Sequence, residues 1–235
     1  MDNWIAATLG AQLRQADDPL VVDLGYGATP VTAVELAGRL AKVRADVRVV
    51  GVEIDQDRVT GAQPAADPPR LSFVRGGFEL AGLSPALVRA ANVLRQYDEP
   101  AALDAWVTMQ ARLAAGGLLV EGTCDELGRL GAWVLLDAHG PRSLTLACKL
   151  ETLRRPSELA ERLPKALIHH NVPGEPIHTL LSELDRAWDA AAPLSTFGPR
   201  QRWAAACRAL DAPVDTSRAR YGELTVPWEL VTPWG

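Results

Sequence analysis

Cysteine and histidine are scarce in this chain, and long runs of charge or hydrophobicity are missing altogether. The three cysteines, Cys124, Cys148 and Cys207, are odd in number and widely spaced. That pattern fits neither a disulfide framework nor a zinc site and points to a reducing, cytoplasmic setting. The four histidines, His139, His169, His170 and His178, include no i, i+4 pair with an accompanying carboxylate, so no metal is expected. No apolar run approaches the ~20 residues of a membrane span. No basic region leading into an apolar core opens the chain, so a signal peptide is not expected. Positive charge is in deficit, and a net charge of −5 offers nucleic acid no electrostatic footprint. The adjacent Arg154 and Arg155 read as a solvated face. Internal repeats and low-complexity tracts are absent.

What remains is an ordinary soluble composition, 48% apolar and 23% charged, in 235 residues. That length accommodates one full α/β domain and an appendage. The most informative stretch is Val21-Val22-Asp23-Leu24-Gly25-Tyr26-Gly27-Ala28-Thr29-Pro30. An apolar run ends at an acid, two glycines follow one residue apart, and an amphipathic pattern begins. This reads as a buried parallel strand, a sharp turn and a helix start. Glycine suits the turn because it accepts positive φ and lets a ligand approach the backbone. Pro30 suits a first helical turn and Thr29 an N-cap. Such a turn before a helix N-terminus is a site for a polar or anionic ligand group.

Three features narrow the ligand. Pro30 stands where a dinucleotide fingerprint needs its third glycine. No Lys-Ser/Thr pair follows, which removes a phosphate-binding loop of the Walker type. Asp23 would repel a pyrophosphate and suits a ligand with positive charge.

On these residues the chain resembles the class I S-adenosylmethionine-dependent methyltransferases. Val21 through Gly27 matches their first motif, apolar-apolar-acid-x-Gly-x-Gly. Val49-Val50-Gly51-Val52-Glu53-Ile54-Asp55 matches the second, an acid ending the next strand. The resemblance implies S-adenosylmethionine as cofactor, with Glu53 holding the two ribose hydroxyls. Asp23, Gly25, Tyr26, Gly27 and Ile54 join it at the two motifs. The family usually has an acid just after the third strand, which meets adenine. Here Gly76-Gly77-Phe78-Glu79 follows Leu71–Arg75, so backbone groups at Gly77 and Phe78 are expected to read adenine, with the Phe78 ring on its face or else in the core. A fourth strand over 86–94, which by composition could also be a short helix, brings Asn92 and Val93 to the methionine end, and Arg95 and Tyr97 toward the acceptor.

The implied fold is α/β: a doubly wound, mostly parallel, seven-stranded sheet over residues 1–150, with a C-terminal helical appendage over 151–235. Helices are expected over 1–16, over 31–43, where Val31, Val34, Leu36, Leu40 and Val43 recur at a mostly helical apolar period, and over 101–114, with Leu103, Trp106, Val107 and Leu113 as the buried stripe. A fifth strand ends near Glu121. Residues 132–137 form a strand whose orientation the eight-residue connection leaves open, since a parallel crossover usually needs about a dozen residues. A hairpin to 143–150 then closes the sheet. In the appendage, helices are expected at 157–162, 175–191 and 198–210. Trp228 and Trp234 lie in an extended strap.

Methyl transfer from a sulfonium needs alignment more than proton chemistry. A base is required only for a poor nucleophile such as a hydroxyl. The candidates are His169 and His170, ahead of Pro173-Gly174, and Glu121. The resemblance implies a small-molecule acceptor methylated on oxygen or nitrogen, with the appendage shaping its pocket. A homodimer that buries the helices of the appendage is the structural rival. A non-catalytic cofactor-binding regulatory or assembly protein is the functional one.

Overall fold

The computed structural model describes residues 1–233. In chain order its helices and strands are α1 (Asp2–Thr8), α2 (Gly10–Gln15), β1 (Leu20–Leu24), α3 (Val31–Leu40), β2 (Arg48–Glu53), α4 (Gln56–Ala62), β3 (Leu71–Arg75), β4 (Leu87–Ala91), α5 (Glu99–Gln110), β5 (Leu118–Cys124), β6 (Leu130–Asp137), β7 (Gly140–Cys148), α6 (Lys165–Ile168), α7 (Pro176–Ala190), α8 (Pro199–Arg208) and β8 (Glu223–Pro227). The strands form one sheet in the order β3-β2-β1-β4-β5-β6-β7-β8. The fold is therefore α/β, and the expected count of seven strands is corrected to eight among the described residues. By contacts the chain divides into two compact units. The first holds residues 1–93, 100–121 and 136–140; the second holds 94–99, 122–135 and 141–235.

In the first unit β1 pairs in parallel with β2 and with β4, and β2 pairs in parallel with β3. The chain runs outward from β1 through β2 to β3, then returns to the other side of β1 as β4. That reversal is a topological switch point, where open α/β sheets bind ligands beyond the strands' carboxyl ends. All five residues of β1 are buried, as a central parallel strand with both faces covered demands.

Helix faces correct the sequence reading. The side of α3 that packs inward carries Ala33, Leu36, Ala37 and Leu40, while Val31 and Val34 are exposed. In α5 the buried residues are Ala102, Ala105, Trp106 and Met109, and Val107 is 66% exposed. Alanines let a helix backbone approach its neighbours closely, so Ala33, Ala37, Ala102 and Ala105 share the inward faces with the expected Leu36, Leu40 and Trp106. Two starts also differ. The N-cap of α3 is Pro30, and Thr29 makes no capping bond. Residues 1–16 form two short helices that meet at Leu9.

In the second unit a tight turn joins β5 to β6. The Asp125 N–H donates to the Leu130 carbonyl at 3.0 Å, and the Asp125 carboxylate accepts from the Arg129 and Leu130 N–H groups. A Cβ on Gly122 would strike Trp133, and one on Gly131 would press on the Thr123 carbonyl, so the two strands run antiparallel. The eighth strand comes from the stretch read as a strap. β8 pairs antiparallel with β7, and the Thr145 and Thr225 hydroxyls bond across the pair at 2.8 Å. A short 3-10 turn follows over Trp228–Leu230, and Trp234 lies outside the described residues. Residues Pro156–Arg162 are 3-10 rather than α-helical. The expected inward faces of α7 (Ile177, Leu180, Leu181, Leu184, Trp188) and α8 (Trp203, Cys207) are buried. No helix among the described residues is long and apolar enough to cross a membrane.

Candidate functional site

The turn after β1 takes the form its glycines allow. Gly25 has φ +65° and Gly27 φ +86°, values that side-chain-bearing residues rarely adopt. The Gly25 N–H donates to the Val52 carbonyl at 2.7 Å, which ties the turn to β2. A Cβ on Gly25 would come within 2.7 Å of Val93 Cγ2, so this glycine also lets the ends of β1 and β4 meet. Gly27 is different: a Cβ there would meet nothing within 4 Å. The backbone at Gly27 faces open space.

Glu53 ends β2 beside this turn and is buried. Its Oε2 accepts from the Gly27 N–H at 3.2 Å, and its Oε1 accepts from the Ile54 N–H at 3.0 Å and more weakly from Asp55 at 3.4 Å. Arg58 lies 3.7 Å from Oε2. A carboxylate has about four acceptor positions, so Oε2 keeps a lone pair for a hydroxyl donor. Asp55, the other acid of the motif, caps α4 by accepting from the Asp57 and Arg58 N–H groups. Ile54 stands 67% exposed beside them, an apolar side chain that the protein leaves largely uncovered. Acceptor carboxylate, open glycine backbone and bare apolar side chain together match the needs of a ribose carrying a flat base.

The other residues expected around the cofactor fall in the same unit but differ in what they offer. Tyr26 is buried, and its ring meets Phe73 edge-on at 5.2 Å. Burial, with the charges of Glu53 and Asp23, pushes its phenol above the ordinary range. Its side chain is a core contact, for which Gly51 makes room. At Gly77 the N–H donates to Glu79 Oε1 at 2.7 Å and the carbonyl accepts from Leu80 N–H at 2.9 Å. Its polar groups are engaged within the loop, where the sequence reading had them facing adenine. The same Gly77 bond holds the Glu79 carboxyl below the usual carboxylate range. Phe78 is half-buried, not a core aromatic. The following Leu80, Ala81 and Gly82 all have positive φ, a costly conformation for the first two. Asn92, exposed just past β4, also has positive φ, at 62°. Strained backbone thus follows both β3 and β4.

Asp23 received a partner that sequence reading missed. It lies directly opposite Arg89 in the β1–β4 register. Arg89 Nε donates to Oδ1 at 2.8 Å and Nη2 to Oδ2 at 2.6 Å, while Nη1 donates to Asp2 Oδ1 at 2.7 Å. Burial pushes the Asp23 carboxyl upward against the pull of Arg89. For Arg89, burial works to lower the guanidinium, but the two carboxylates outweigh it and raise it further. The charge of Asp23 is thus met inside the protein, not held ready for a cationic ligand. An arginine within an apolar strand was the available signal, because a buried charge must be paired.

The second unit holds the candidates Arg95, Tyr97, His169 and His170. His170 Nε2 is 2.8 Å from Glu99 Oε1, and Nδ1 is 4.0 Å from Glu175 Oε2. Glu99 opens α5, seven residues after Asn92, and Glu175 precedes α7. Arg95 is exposed and donates to the Glu161 carbonyl at 3.5 Å; Tyr97 is half-buried. The Thr123 hydroxyl, at the end of β5, donates to the Arg162 carbonyl. Segments of 156–175 therefore touch residues that follow β4 and that end β5, all within this unit. Asn171 Oδ1 is buried there with no bonding partner among the described residues. His169 is exposed.

Glu121 is 1% exposed in β5, and neither carboxyl oxygen has a well-formed hydrogen bond among the described residues. Burial pushes it up to about 8, with the Trp106 indole pulling weakly the other way. It is a sealed, protonated carboxyl at neutral pH, not a solvent-facing base. Among the described residues no group of three or more His, Cys, Asp or Glu side chains is placed to hold a metal.

No protein-family model matches the chain, and no curated protein does. Solved structures to which it is similar include the magnesium protoporphyrin IX methyltransferase ChlM of Synechocystis PCC 6803 with bound SAH, at 19% identity and a TM-score of 0.40. That match covers 53% of this chain and 56% of the other, little more than half of each. The CcbJ methyltransferase of Streptomyces caelestis is 21% identical with a TM-score of 0.37, over 63% and 66%. The sugar N-methyltransferase KedS8 of Streptoalloteichus sp ATCC 53650 is 15% identical with a TM-score of 0.39, over 60% and 68%.

Proposed function

We propose that the chain is an S-adenosylmethionine-dependent methyltransferase acting on a small-molecule acceptor, at oxygen or nitrogen. The observation that carries this reading is Glu53, held by the Gly27 N–H at 3.2 Å beside an open glycine backbone at the switch point. Glu53 would accept from the ribose, Ile54 would cover one face of the base with Phe78 near by, and the turn Gly25–Gly27 would pass close to the ligand. Beyond β4, Asn92 and Val93 would flank the methionine end. The bound cofactor supplies an electrophilic methyl on a sulfonium. The protein's part is to align the acceptor and keep water out.

For a hydroxyl acceptor, His170 would take the proton, with Glu99 fixing its ring through Nε2 as the orienting member of a base pair. For an amine acceptor that arrives unprotonated no base is needed for the transfer itself; the methylated ammonium formed would then shed its proton to water, and the same carboxylates would stabilise its charge. We assign His170, Glu99 and Glu175, which lie together within the second unit, to recognition of the acceptor, with Arg95 and Tyr97.

Calorimetry with SAM and SAH, followed by a turnover assay that detects SAH in the presence of candidate acceptors, tests the reading. Saturable binding with SAH release supports the enzyme. Binding without release over a broad acceptor panel favours the non-catalytic alternative, which the engaged backbone at Gly77 leaves in view. Absence of binding overturns both.

A further inference from the structure

Arg89 has three nitrogens and three bonds to carboxylate oxygens, and it is buried between a strand and the first helix. Two of those bonds grip Asp23, which stands two residues before Gly25. The Gly25 turn is itself seated against Val93, two residues beyond β4 and four past Arg89. β1 and β4 are therefore joined twice around the switch point, once by the ion pair and once by the glycine contact. The third bond reaches Asp2, the first residue of α1. Trp4 and Ile5 bury the same helix, and Arg39 of α3 bonds Asn3 on its exposed side.

The group carries two carboxylates and one guanidinium. When Asp2 leaves, Nη1 loses its partner inside the protein, and the fork that aims Asp23 is held from one side only. An arginine fork bonded bidentately to one carboxylate and singly to another fixes both in direction as well as charge. A helix that docks by such a bond can report on, or set, the geometry of the strand end beneath it.

We propose that Arg89 is a positioning residue of the cofactor site, through which docking of α1 and binding at the Gly25–Gly27 turn are coupled. The proposal rests on reading that turn as the cofactor site. Coupling between binding events is reciprocal. Loss of the Asp2 bond should weaken the cofactor, and the cofactor should in turn slow the opening of α1.

The test uses the full chain and SAH as the probe. Asp2 is partly solvent-exposed, so Asp2→Ala is expected to remain folded, which thermal denaturation checks. SAH affinity by calorimetry should fall about fivefold or more, the lower end of ordinary coupling factors. Asp2→Asn keeps an oxygen that accepts from Nη1 and should recover most of that loss. In hydrogen exchange, SAH should protect the amides of residues 2–9 in the wild type and fail to do so in Asp2→Ala. A helix that merely adds stability would shift the melting temperature and leave SAH affinity alone. Wild-type affinity for SAH in Asp2→Ala, with the protection of α1 unchanged, overturns the coupling while leaving the cofactor site in place. A wild type that does not bind SAH overturns both.

Discussion

Two acids carry most of what can be tested at the residue scale, and they do opposite things. Glu53 is ready to accept: its neighbours are N–H donors, and Oε2 has capacity left. A hydrogen bond to a charged group contributes roughly 1.5–3 kcal/mol. Glu53→Ala should therefore weaken SAM at least tenfold, about 1.4 kcal/mol, as calorimetry would read. A much smaller loss would move the ribose contact to backbone groups. Glu121 instead is a buried liability. Its folded value of about 8 stands above the ordinary 4.5, so the native state binds more protons than the unfolded chain between those values. By linkage the protein should lose stability as pH rises from about 4.5 to about 8, with a limiting slope of about 1.4 kcal/mol per pH unit, and then level off. Glu121→Gln should flatten that part of the stability curve and be the more stable protein at pH 9. Urea denaturation across pH checks the sign. Asp23 and Arg89 mark where single residues were illegible in sequence. Asp23 is explicable only by Arg89, 66 positions away, and an arginine in a strand does not announce its partners.

Elements were legible where their signal is local. The unit from β1 through β2 could be read because apolar run, glycine turn, helix and terminal acid follow one another within 33 residues, Val21 to Glu53. Gly25 and Gly27 can be separated experimentally. Gly25→Ala meets both positive φ and Val93 at 2.7 Å, so a loss of stability of about 1–3 kcal/mol is expected from the steric conflict. Gly27→Val has room in the protein, so its larger effect should be on cofactor affinity, with only a modest fall in melting temperature. The faces of α3 and α5 were legible only in part: Leu36, Leu40 and Trp106 are buried as expected, but Ala33, Ala37, Ala102 and Ala105 are buried too, while Val31, Val34, Leu103 and Val107 face outward. β8 was misread for a different reason. A strand of five residues is defined by its partner, and β7 lies some 80 positions upstream. The His170–Glu99 pair belongs to this scale too, since it joins the start of α5 to the loop before α7. His170→Asn and Glu99→Gln should each lower turnover of a hydroxyl acceptor by 10²–10⁴-fold at most, with SAH affinity preserved. Equal losses of affinity and turnover would show that the pair only holds the fold.

At the scale of the molecule, the second unit is not a removable helical cap. Strand β8 completes the edge beside β7, and Leu224 and Val226 are fully buried with Leu144 and Leu146. A chain ending at Leu150 should therefore lose that edge strand and aggregate, which size exclusion would detect, so point substitutions rather than truncation are the means of probing the acceptor side. The cofactor reading could be made from the sequence because it rests on one contiguous βαβ unit. Acceptor chemistry was not, because its candidates come from loops whose placement depends on the whole chain. The account as a whole depends on what the Gly27–Glu53 corner binds. Titration of the wild-type protein with SAH in a calorimeter measures that directly. Saturable one-to-one binding that Glu53→Ala weakens at least tenfold, with no saturable binding of NADH, is the predicted result. No heat with SAH, or equal affinity in the Glu53→Ala variant, would contradict it.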